Sequence, residues 1–469
     1  MEQANKSELS VLDRFNNWMK ESIMIKLGSI GFLILILLIP TSWIQDLMLE
    51  RQQRAETVIA EVSDKWAESQ TLTGPVLVIP SHYAEEVKHP NGKIEKRTIH
   101  ENTFLLPVSL HIDSKIDPQI LYRGIFEAAV YQSQFKIESK FQLPSRSKLG
   151  LAKSTIDWND AHLIIGISDL RGISDSPTIK AGDKVLQGEP SNRIGFATQR
   201  FSNKLNEYDG QRYESSDLVT NGIKATLNWS SPDDFTDEVS IQLNLKGSDN
   251  LSFLPTGKTT TVHASGPWSN PSFNGEFLPS NREVNEAGFM ADWKILHYNR
   301  PLDQIWKAEN LTLSNVAFGL KLLIPVDQYQ KSIRTSKYGV LIILLTFVSL
   351  FLVELIKKIR IHPFQYILVG VALIVYYTLL ISLSEQIGYN AAYGVASILT
   401  VGLLSFYARS FLTGTSLVIL FTSVISTVYL FVFIIILQQD YSLLIGSLGL
   451  FIITGLIMYF SRKVNWYKE

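Results

Sequence analysis

Long apolar runs lie near both ends of the chain, and one large polar block separates the first run from the others. A helix needs roughly 17–25 apolar residues to cross the hydrocarbon core of a bilayer, and six runs meet this requirement. The last five runs follow one another through short connections. The pattern predicts six spans, at Leu27–Ile44, Tyr338–Ile356, Tyr366–Leu383, Ala391–Ala408, Thr415–Leu437 and Tyr441–Phe460.

The polar block Asp46–Lys337 begins with a helical repeat. No Gly or Pro occurs between Asp46 and Gln70, and apolar residues recur there at helical spacing. We therefore expect the first span to continue outward as a helical stalk. The recurring residues are Ala55, Val58, Ile59, Val62 and Trp66.

Beyond Gly74-Pro75, which we interpret as the helix break, the repeat changes to that of a strand. Apolar and polar residues alternate in segments 131–141, 225–229 and 239–245, which is typical of antiparallel strands with one wet face. His89-Pro90-Asn91-Gly92 predicts a hairpin turn. Strands without intervening amphipathic helices favour a β-sandwich or a related all-β domain. One β domain and two fused sheets both remain open.

Lys and Arg in the short segments indicate the orientation in the membrane. They occur before the first span and after the second, fourth and sixth spans, whereas the connections Ser384–Asn390 and Gln438–Asp440 contain none. When six spans are threaded, every basic short segment falls on one side. We therefore predict that both termini are cytoplasmic and that residues 46–337 are periplasmic in a bacterial inner membrane.

The segment before the first span places Val11, Phe15 and Trp18 on one helical face. This favours an amphipathic leader on the cytoplasmic membrane surface, and a flexible leader is the alternative. The exit of the span, Pro40–Gln45, has no small-x-small cleavage site, so we predict an uncleaved helix.

The fold class that follows is an α-helical integral membrane protein with six spans and a large, mainly antiparallel all-β periplasmic domain inserted between spans 1 and 2. The predicted parts are the cytoplasmic amphipathic leader at 1–26, transmembrane helix 1 at 27–45, the helical stalk at 46–72, the periplasmic β domain at 73–337, the five-helix transmembrane bundle at 338–460 and a cytoplasmic tail at 461–469.

Composition removes several classes of function. The 469 residues carry a net charge of −1, which argues against a nucleic-acid partner. The polar block is also near neutral, with 32 Lys and Arg against 36 Asp and Glu. The chain has no cysteine, which excludes disulfides, thiolate metal sites and a cysteine nucleophile. We expect no cofactor.

Two patterns in the polar block suggest chemistry but have simpler interpretations. Gly257-Lys258-Thr259 resembles the end of a phosphate-binding loop, yet Ser252 stands where that motif requires glycine, so a turn at a strand edge is preferred. His82, His100 and His111 are candidates to converge across neighbouring strands. Their spacing is not that of a zinc motif, and locally satisfied histidines are the preferred interpretation.

Glu354 is the one charge inside a predicted span, and an intramembrane charge suggests function by default. Ion pairing with Lys357 and Lys358 on the same helix is the preferred explanation. Glu385 closes the third span, where a loop cap is preferred over a polar cavity. Gly446, Gly449 and Gly455 are predicted to permit close helix packing.

Many dispersed segments of the chain match one known family in the same order. They include Asp327-Gln328-Tyr329-Gln330, Lys337-Tyr338, Glu354, His362-Pro363, Leu383-Ser384-Glu385, Trp268, Pro271-Ser272-Phe273, Arg282-Glu283-Val284, Asp169 and Arg171-Gly172-Ile173. Through these identities the chain resembles the CreD-like inner-membrane proteins, a family described as cell-envelope integrity proteins of Gram-negative bacteria. The resemblance covers most of the chain from the first span onward and implies a stress-responsive membrane protein without an assigned reaction.

The predicted function is a non-enzymatic contribution to envelope integrity. The partners are the lipid bilayer and an envelope protein or cell-wall component, contacted by the β domain. The alternatives are a transporter or gated pathway through the C-terminal bundle and a periplasmic glycan hydrolase, since carboxylates are plentiful. The candidate functional residues are Glu354, His362, Glu385, Asp327, Tyr329, Arg282 and Glu283.

Overall fold

The computed structural model describes residues 23–89, 94–152, 154–205, 212–307, 311–313, 316–324, 328–357, 359–412, 414–438 and 441–462. Residues 1–22 of the predicted leader, the turn residues 90–92, Asp327, Lys358 and residues 463–469 of the tail lie outside the described residues.

The chain divides into two compact units. One contains residues up to Arg54 together with those from Val326 onward, and the other is Ala55–Pro325. The second unit is rich in β structure, as predicted. The α-helices are α1 (Ile23–Trp66), α2 (Gln328–Lys337), α3 (Gly339–Lys357), α4 (Pro363–Ile387), α5 (Tyr389–Ala408), α6 (Thr415–Leu437) and α7 (Ser442–Ser461).

Five of these helices are long and apolar enough to cross a membrane, namely α1 from Lys26 onward and α3 to α6. In α7 the apolar segment found among the described residues, Leu443–Tyr459, is shorter. Helix α1 passes through Pro40 without ending. Several apolar helices therefore confirm a multi-pass membrane protein, and the sixth span stays a prediction.

The described strands of the β unit form three sheets. The strands of the ten-stranded sheet are β1 (Gln70–Lys88), β2 (Ile94–Leu105), β5 (Thr155–Ile156), β6 (His162–Ile167), β9 (Gly188–Ser191), β12 (Gly222–Thr226), β14 (Asn250–Leu254), β16 (Pro271–Gly275), β19 (Ile305–Trp306) and β21 (Phe318–Leu322). The eight-stranded sheet follows the order β17 (Asn281–Asn285), β18 (Gly288–Leu296), β15 (Thr259–Gly266), β3 (Ser109–Arg123), β4 (Phe126–Lys140), β13 (Glu238–Ser248), β7 (Thr178–Ala181) and β8 (Lys184–Leu186). The third sheet has the order β11 (Arg212–Val219), β10 (Phe196–Leu205) and β20 (Leu311–Thr312).

The main core lies between the two large sheets. It combines residues such as Leu77 and Ile79 of β1 with Ile137 of β4 and Ile241 of β13, all at most 1% exposed. Val76 and Val78 alternate with them along β1 and enter a second, smaller cluster on the other face. The ten-stranded sheet is thus covered on both faces, and two sheets share one core as in a sandwich.

The predicted alternation in segment 131–141 is confirmed. In β4 the odd-numbered side chains from Tyr131 to Ser139 are buried, and the even-numbered ones between Gln132 and Lys140 are exposed. Strand β13 repeats the pattern with Val239, Ile241, Leu243 and Leu245 buried. Pairing is mostly antiparallel, with parallel pairs at β1–β14, β3–β15 and β10–β20.

The helix ends at Trp66 rather than at residue 72, and Gly74-Pro75 does not break it. Ala67 adopts a φ of 153°, which L side chains rarely adopt, and Gln70 already pairs with Leu251 of β14. Gly74-Pro75 lies within β1 where the register with β6 shifts between Thr73 and Val76. Proline fits such an interruption because it has no N–H to give to the ladder.

The β structure ends before residue 337. The last strand, β21, ends at Leu322, and α2 groups with the helical unit. Its buried face consists of polar residues at helical spacing, which carries no hydrophobic signal. That face is formed by Tyr329, Ser332, Thr335 and Ser336.

Candidate functional site

Glu354 is a buried charge with a complete set of partners. Its side chain is 4% exposed, and Oε1 accepts a hydrogen bond of 2.8 Å from Nζ of Lys26 in α1. Oε1 also lies 3.3 Å from the N–H of Ile361, and Oε2 accepts from the Tyr366 hydroxyl at 3.1 Å. Helices α1, α3 and α4 and the α3–α4 connection therefore meet at one carboxylate.

The cation that pairs with Glu354 is on another helix. Of the two expected partners, Lys357 is exposed while the carboxylate pairs with Lys26, and Lys358 lies outside the described residues. Glu354 is on the buried face of α3, and its carboxylate is held by a cation on α1 rather than by one on its own helix. The cluster joins the first helix to the bundle and neutralises the charge, as membrane burial requires.

His362 has a structural explanation as the N-cap of α4. The ring Nδ1 of His362 accepts a hydrogen bond from the backbone N–H of Phe364 at 3.2 Å. The backbone N–H of His362 donates to Oε1 of Gln365 at 2.9 Å. This reciprocal pair satisfies backbone donors that the helix itself leaves free. Pro363 occupies the first turn of α4, where its missing N–H costs nothing.

Tyr329 and Glu385 are brought together. The Tyr329 hydroxyl donates to Oε1 of Glu385 at 3.2 Å, and burial raises the pKa of Tyr329 above its ordinary value, with the Glu385 charge adding to the effect. Glu385 is not the helix cap, because the N–H of Gly388 caps α4 by donating to the carbonyl of Ser384. The contact links α2 to the end of α4.

A cluster of buried hydroxyl groups inside the helical unit was not predicted. The rings of Tyr376, Tyr393 and Tyr429 pack edge to face, with centroids 4.8–5.9 Å apart. Tyr393 donates to the carbonyl of Tyr429 at 2.7 Å, whereas among the described residues the hydroxyls of Tyr377 and Tyr429 have no hydrogen-bond partner. Aromatic residues within apolar runs are expected to pack in the core, so the hydropathy pattern did not indicate a cluster of hydroxyl groups.

Arg282 and Glu283 lie on β17, a fully exposed strand at one edge of the eight-stranded sheet. Among the described strands its one neighbour is β18, with Arg282 opposite Ala291 and Glu283 opposite Met290. Met290 is 45% exposed. The edge therefore offers backbone hydrogen-bonding groups, two charges and an apolar side chain to solvent.

Asp169 and Arg171, which contribute to the family resemblance, connect the end of α1 to the sheet within the β unit. The Asp169 carboxylate accepts from Nε and Nη2 of Arg171 at 2.7–3.1 Å, and Arg171 also pairs with Asp64 of α1 at 3.3 Å. Burial would raise the pKa of Asp169, but the hydrogen bonds and charge of Arg171 outweigh it and lower the pKa overall. These matched residues form a structural clamp.

Two of the three predicted histidines converge. His82 and His100 are opposite each other in the β1–β2 ladder, and their third neighbour is Asp157 rather than His111. His111 lies on the other sheet, where it bonds to the Thr261 hydroxyl at 2.8 Å. Periodicity places residues on faces but does not select which strands become neighbours.

Gly257-Lys258-Thr259 forms the turn that leads into strand β15, so the helix of a phosphate-binding loop is absent there. Arg300, 5% exposed, donates to the carbonyls of Thr256 and Gly257 and holds this turn. Burial lowers the pKa of the Arg300 guanidinium to about 10. The preferred interpretation as a strand-edge turn is confirmed.

Comparison with known proteins agrees with the resemblance seen in the sequence. A family model described as inner membrane protein CreD matches residues 22–467. The chain is 28% identical over 453 residues to the inner membrane protein CreD of Escherichia coli strain K12, covering 96% of this chain and 95% of that protein. This chain, with its apolar helices, is a multi-pass inner-membrane protein and belongs to the CreD family.

Proposed function

We propose that this chain is a non-enzymatic envelope-maintenance protein whose β unit faces the periplasm and binds another envelope component. The membrane part crosses six times and has both termini in the cytoplasm. Family membership and the distribution of Lys and Arg support this placement. The clusters around Glu354, His362 and Asp169 support a non-catalytic role, since each side chain is engaged in holding helices or strands together.

The edge strand β17 is the observation that carries the binding role. All five of its residues are exposed, and an exposed edge can add a strand from an extended peptide segment. Arg282 and Glu283 limit indiscriminate pairing, because charges on an edge oppose self-association. The proposed partner is therefore an envelope protein that contributes an extended segment.

Site-specific photocrosslinking in cells tests this proposal. A photoreactive amino acid replaces Glu283 in one strain and Val185 in another. Val185 is 68% exposed on β8, the strand at the opposite edge of the same sheet, and is the matched control. We expect a covalent adduct from position 283 that is missing at position 185. Equal adducts at both positions, or none at position 283, would contradict docking on β17.

The buried hydroxyl cluster favours a second candidate, a polar pathway through the helical bundle. A buried hydroxyl without a partner costs free energy, and hydrogen bonding to a polar solute in the bundle would offset that cost. The cluster continues toward the Tyr329–Glu385 pair through Tyr389, whose hydroxyl lies 2.6 Å from that of Thr335. A polar solute that moves through the bundle would form hydrogen bonds with these hydroxyl groups in turn.

Replacing Tyr377 and Tyr429 together by Phe separates the two candidates. The rings are kept and only unpaired hydroxyls are lost, so the fold should be retained. A pathway predicts that the double variant, at normal abundance, fails to restore envelope integrity to a strain lacking the gene. Full restoration would eliminate a pathway that uses these hydroxyls and leave the docking role.

A further inference from the structure

Three side chains on neighbouring strands of the β unit offer metal-binding atoms to one point. His82 on β1 stands opposite His100 on β2 and, on its other side, opposite Thr155 on β5. Asp157 lies just past the end of β5, where its backbone N–H donates to the carbonyl of Pro80 at 2.9 Å and its carboxylate contacts His82. Residues directly opposite in an antiparallel ladder have Cβ atoms about 4.5–5.5 Å apart. The sheet register itself therefore assembles the group.

The distances suit a divalent cation. One nitrogen from each histidine and one oxygen of Asp157 all lie within 4.8 Å of one another. Nδ1 of His82 is 2.9 Å from Oδ1 of Asp157, and the two imidazole rings have centroids 5.7 Å apart. Ligands of a tetrahedral zinc ion stand about 3.3 Å apart, so a small side-chain rotation of His100 completes the arrangement.

The surroundings distinguish this group from an ordinary ion pair. Among the described residues, His100 has no hydrogen-bond or ion-pair partner, although its ring faces that of His82. The flanking pairs on the same face, Pro80 with Asn102 and Ala84 with Thr98, are uncharged, so these strands place no Lys or Arg beside the site. His82 and Asp157 are about one-third exposed, which leaves an entry path for an ion.

We propose that His82, His100 and Asp157 form a binding site for a divalent transition-metal ion such as Zn²⁺. Two imidazoles and one carboxylate are a ligand set that zinc accepts, and three protein ligands leave a coordination position for water or a partner group. The chain has no cysteine, so thiolates do not compete for the metal. The site lies on the ten-stranded sheet, whereas β17 belongs to the eight-stranded sheet, and the two proposals are independent.

Zinc binding to the full-length chain in detergent tests the site. The protein is purified through a tag without histidine, stripped with chelator and titrated with ZnCl₂ by calorimetry. We expect the wild type to bind one more Zn²⁺ than His100→Ala, or to bind it at least about tenfold more tightly. Cobalt titration should give a visible absorption band that His100→Ala lacks. His111→Ala, which changes a histidine on the other sheet, should bind as the wild type does.

A second variant, Asp157→Asn, distinguishes the loss of a metal ligand from the loss of the fold. The amide keeps the size of the side chain but is a much weaker ligand, so zinc binding should fall as in His100→Ala while the elution profile and thermal unfolding stay unchanged. Equal zinc stoichiometry and affinity in the wild type, His100→Ala and Asp157→Asn would overturn the proposal. Failure of the wild type to bind zinc would overturn it as well.

Discussion

The ammonium of Lys26, at the start of α1, donates a hydrogen bond of 2.8 Å to the carboxylate of Glu354, near the end of α3. The two residues are 328 positions apart in the chain. A buried carboxylate without a cation would carry a large desolvation cost, so this pair fixes α1 against the bundle more specifically than apolar packing can.

Removing one member of the pair should therefore destabilise the helical unit. We expect Lys26→Met to lower the free energy of unfolding by about 2 kcal/mol, because Glu354 is left buried without its cation. The double variant Lys26→Met/Glu354→Gln should recover part of this loss. Thermal unfolding in detergent measures the effect, and Lys357→Met is the control because that side chain is exposed on the same helix as Glu354. A larger loss in the control would contradict the assignment.

The proposed six-span topology can be mapped with single cysteines, since the chain has none of its own. Gln438 and Arg462 flank α7, and Ser410 lies on the opposite end of α6 from Gln438; all three are exposed. Val185 represents the β unit.

A membrane-impermeant maleimide added to intact cells should label Val185→Cys and Gln438→Cys. Ser410→Cys and Arg462→Cys should react only after the inner membrane is permeabilised, because the proposed topology places them in the cytoplasm. Labelling of both Gln438→Cys and Arg462→Cys from outside would show that α7 does not cross the membrane.

The three glycines of α7 should differ in their response to substitution. A Cβ at Gly449 overlaps the ring of Phe431 in α6, whereas at Gly446 and Gly455 it meets nothing within 4 Å. We expect Gly449→Ala to lower stability by about 1–3 kcal/mol, since overpacking forces the aromatic ring to move. Gly446→Ala and Gly455→Ala should leave the unfolding temperature in detergent unchanged or slightly raised.

Acid should weaken the clamp between Asp169 and Arg171. The pKa of Asp169 is lowered in the folded chain, so its contribution to stability is present above its unfolded pKa and is lost as the pH falls through the folded pKa. At neutral pH, Asp169→Asn should cost about 1–3 kcal/mol.

Urea unfolding followed by tryptophan fluorescence measures this contribution. Between pH 7 and the acid range, the wild type should lose stability more steeply than Asp169→Asn, which has no carboxylate to protonate at this position. Asp183→Asn, in the exposed turn between β7 and β8, is the control and should keep the wild-type slope. Identical slopes for the wild type and Asp169→Asn would contradict the role of Arg171.

Local periodicity was sufficient to predict the elements whose residues follow one simple pattern of burial along their whole length. Apolar runs predicted the helices from Gly339 onward, and strict alternation predicted β4 and β13, because burial on one face acts on each residue separately. The same reasoning failed for α2, whose buried face is built from Tyr329 and three hydroxyl residues that hydropathy counts as polar.

By itself, the sequence determined that the chain has membrane helices and an inserted β domain, and that it resembles its family. Only the tertiary structure decided that Lys26 pairs with Glu354, that His82 and His100 meet Asp157, and that Arg282 and Glu283 lie on a sheet edge. Hydrophobic burial is non-directional and leaves a periodic trace along the chain. Partner choice depends on which distant segments pack together, and that leaves no local trace.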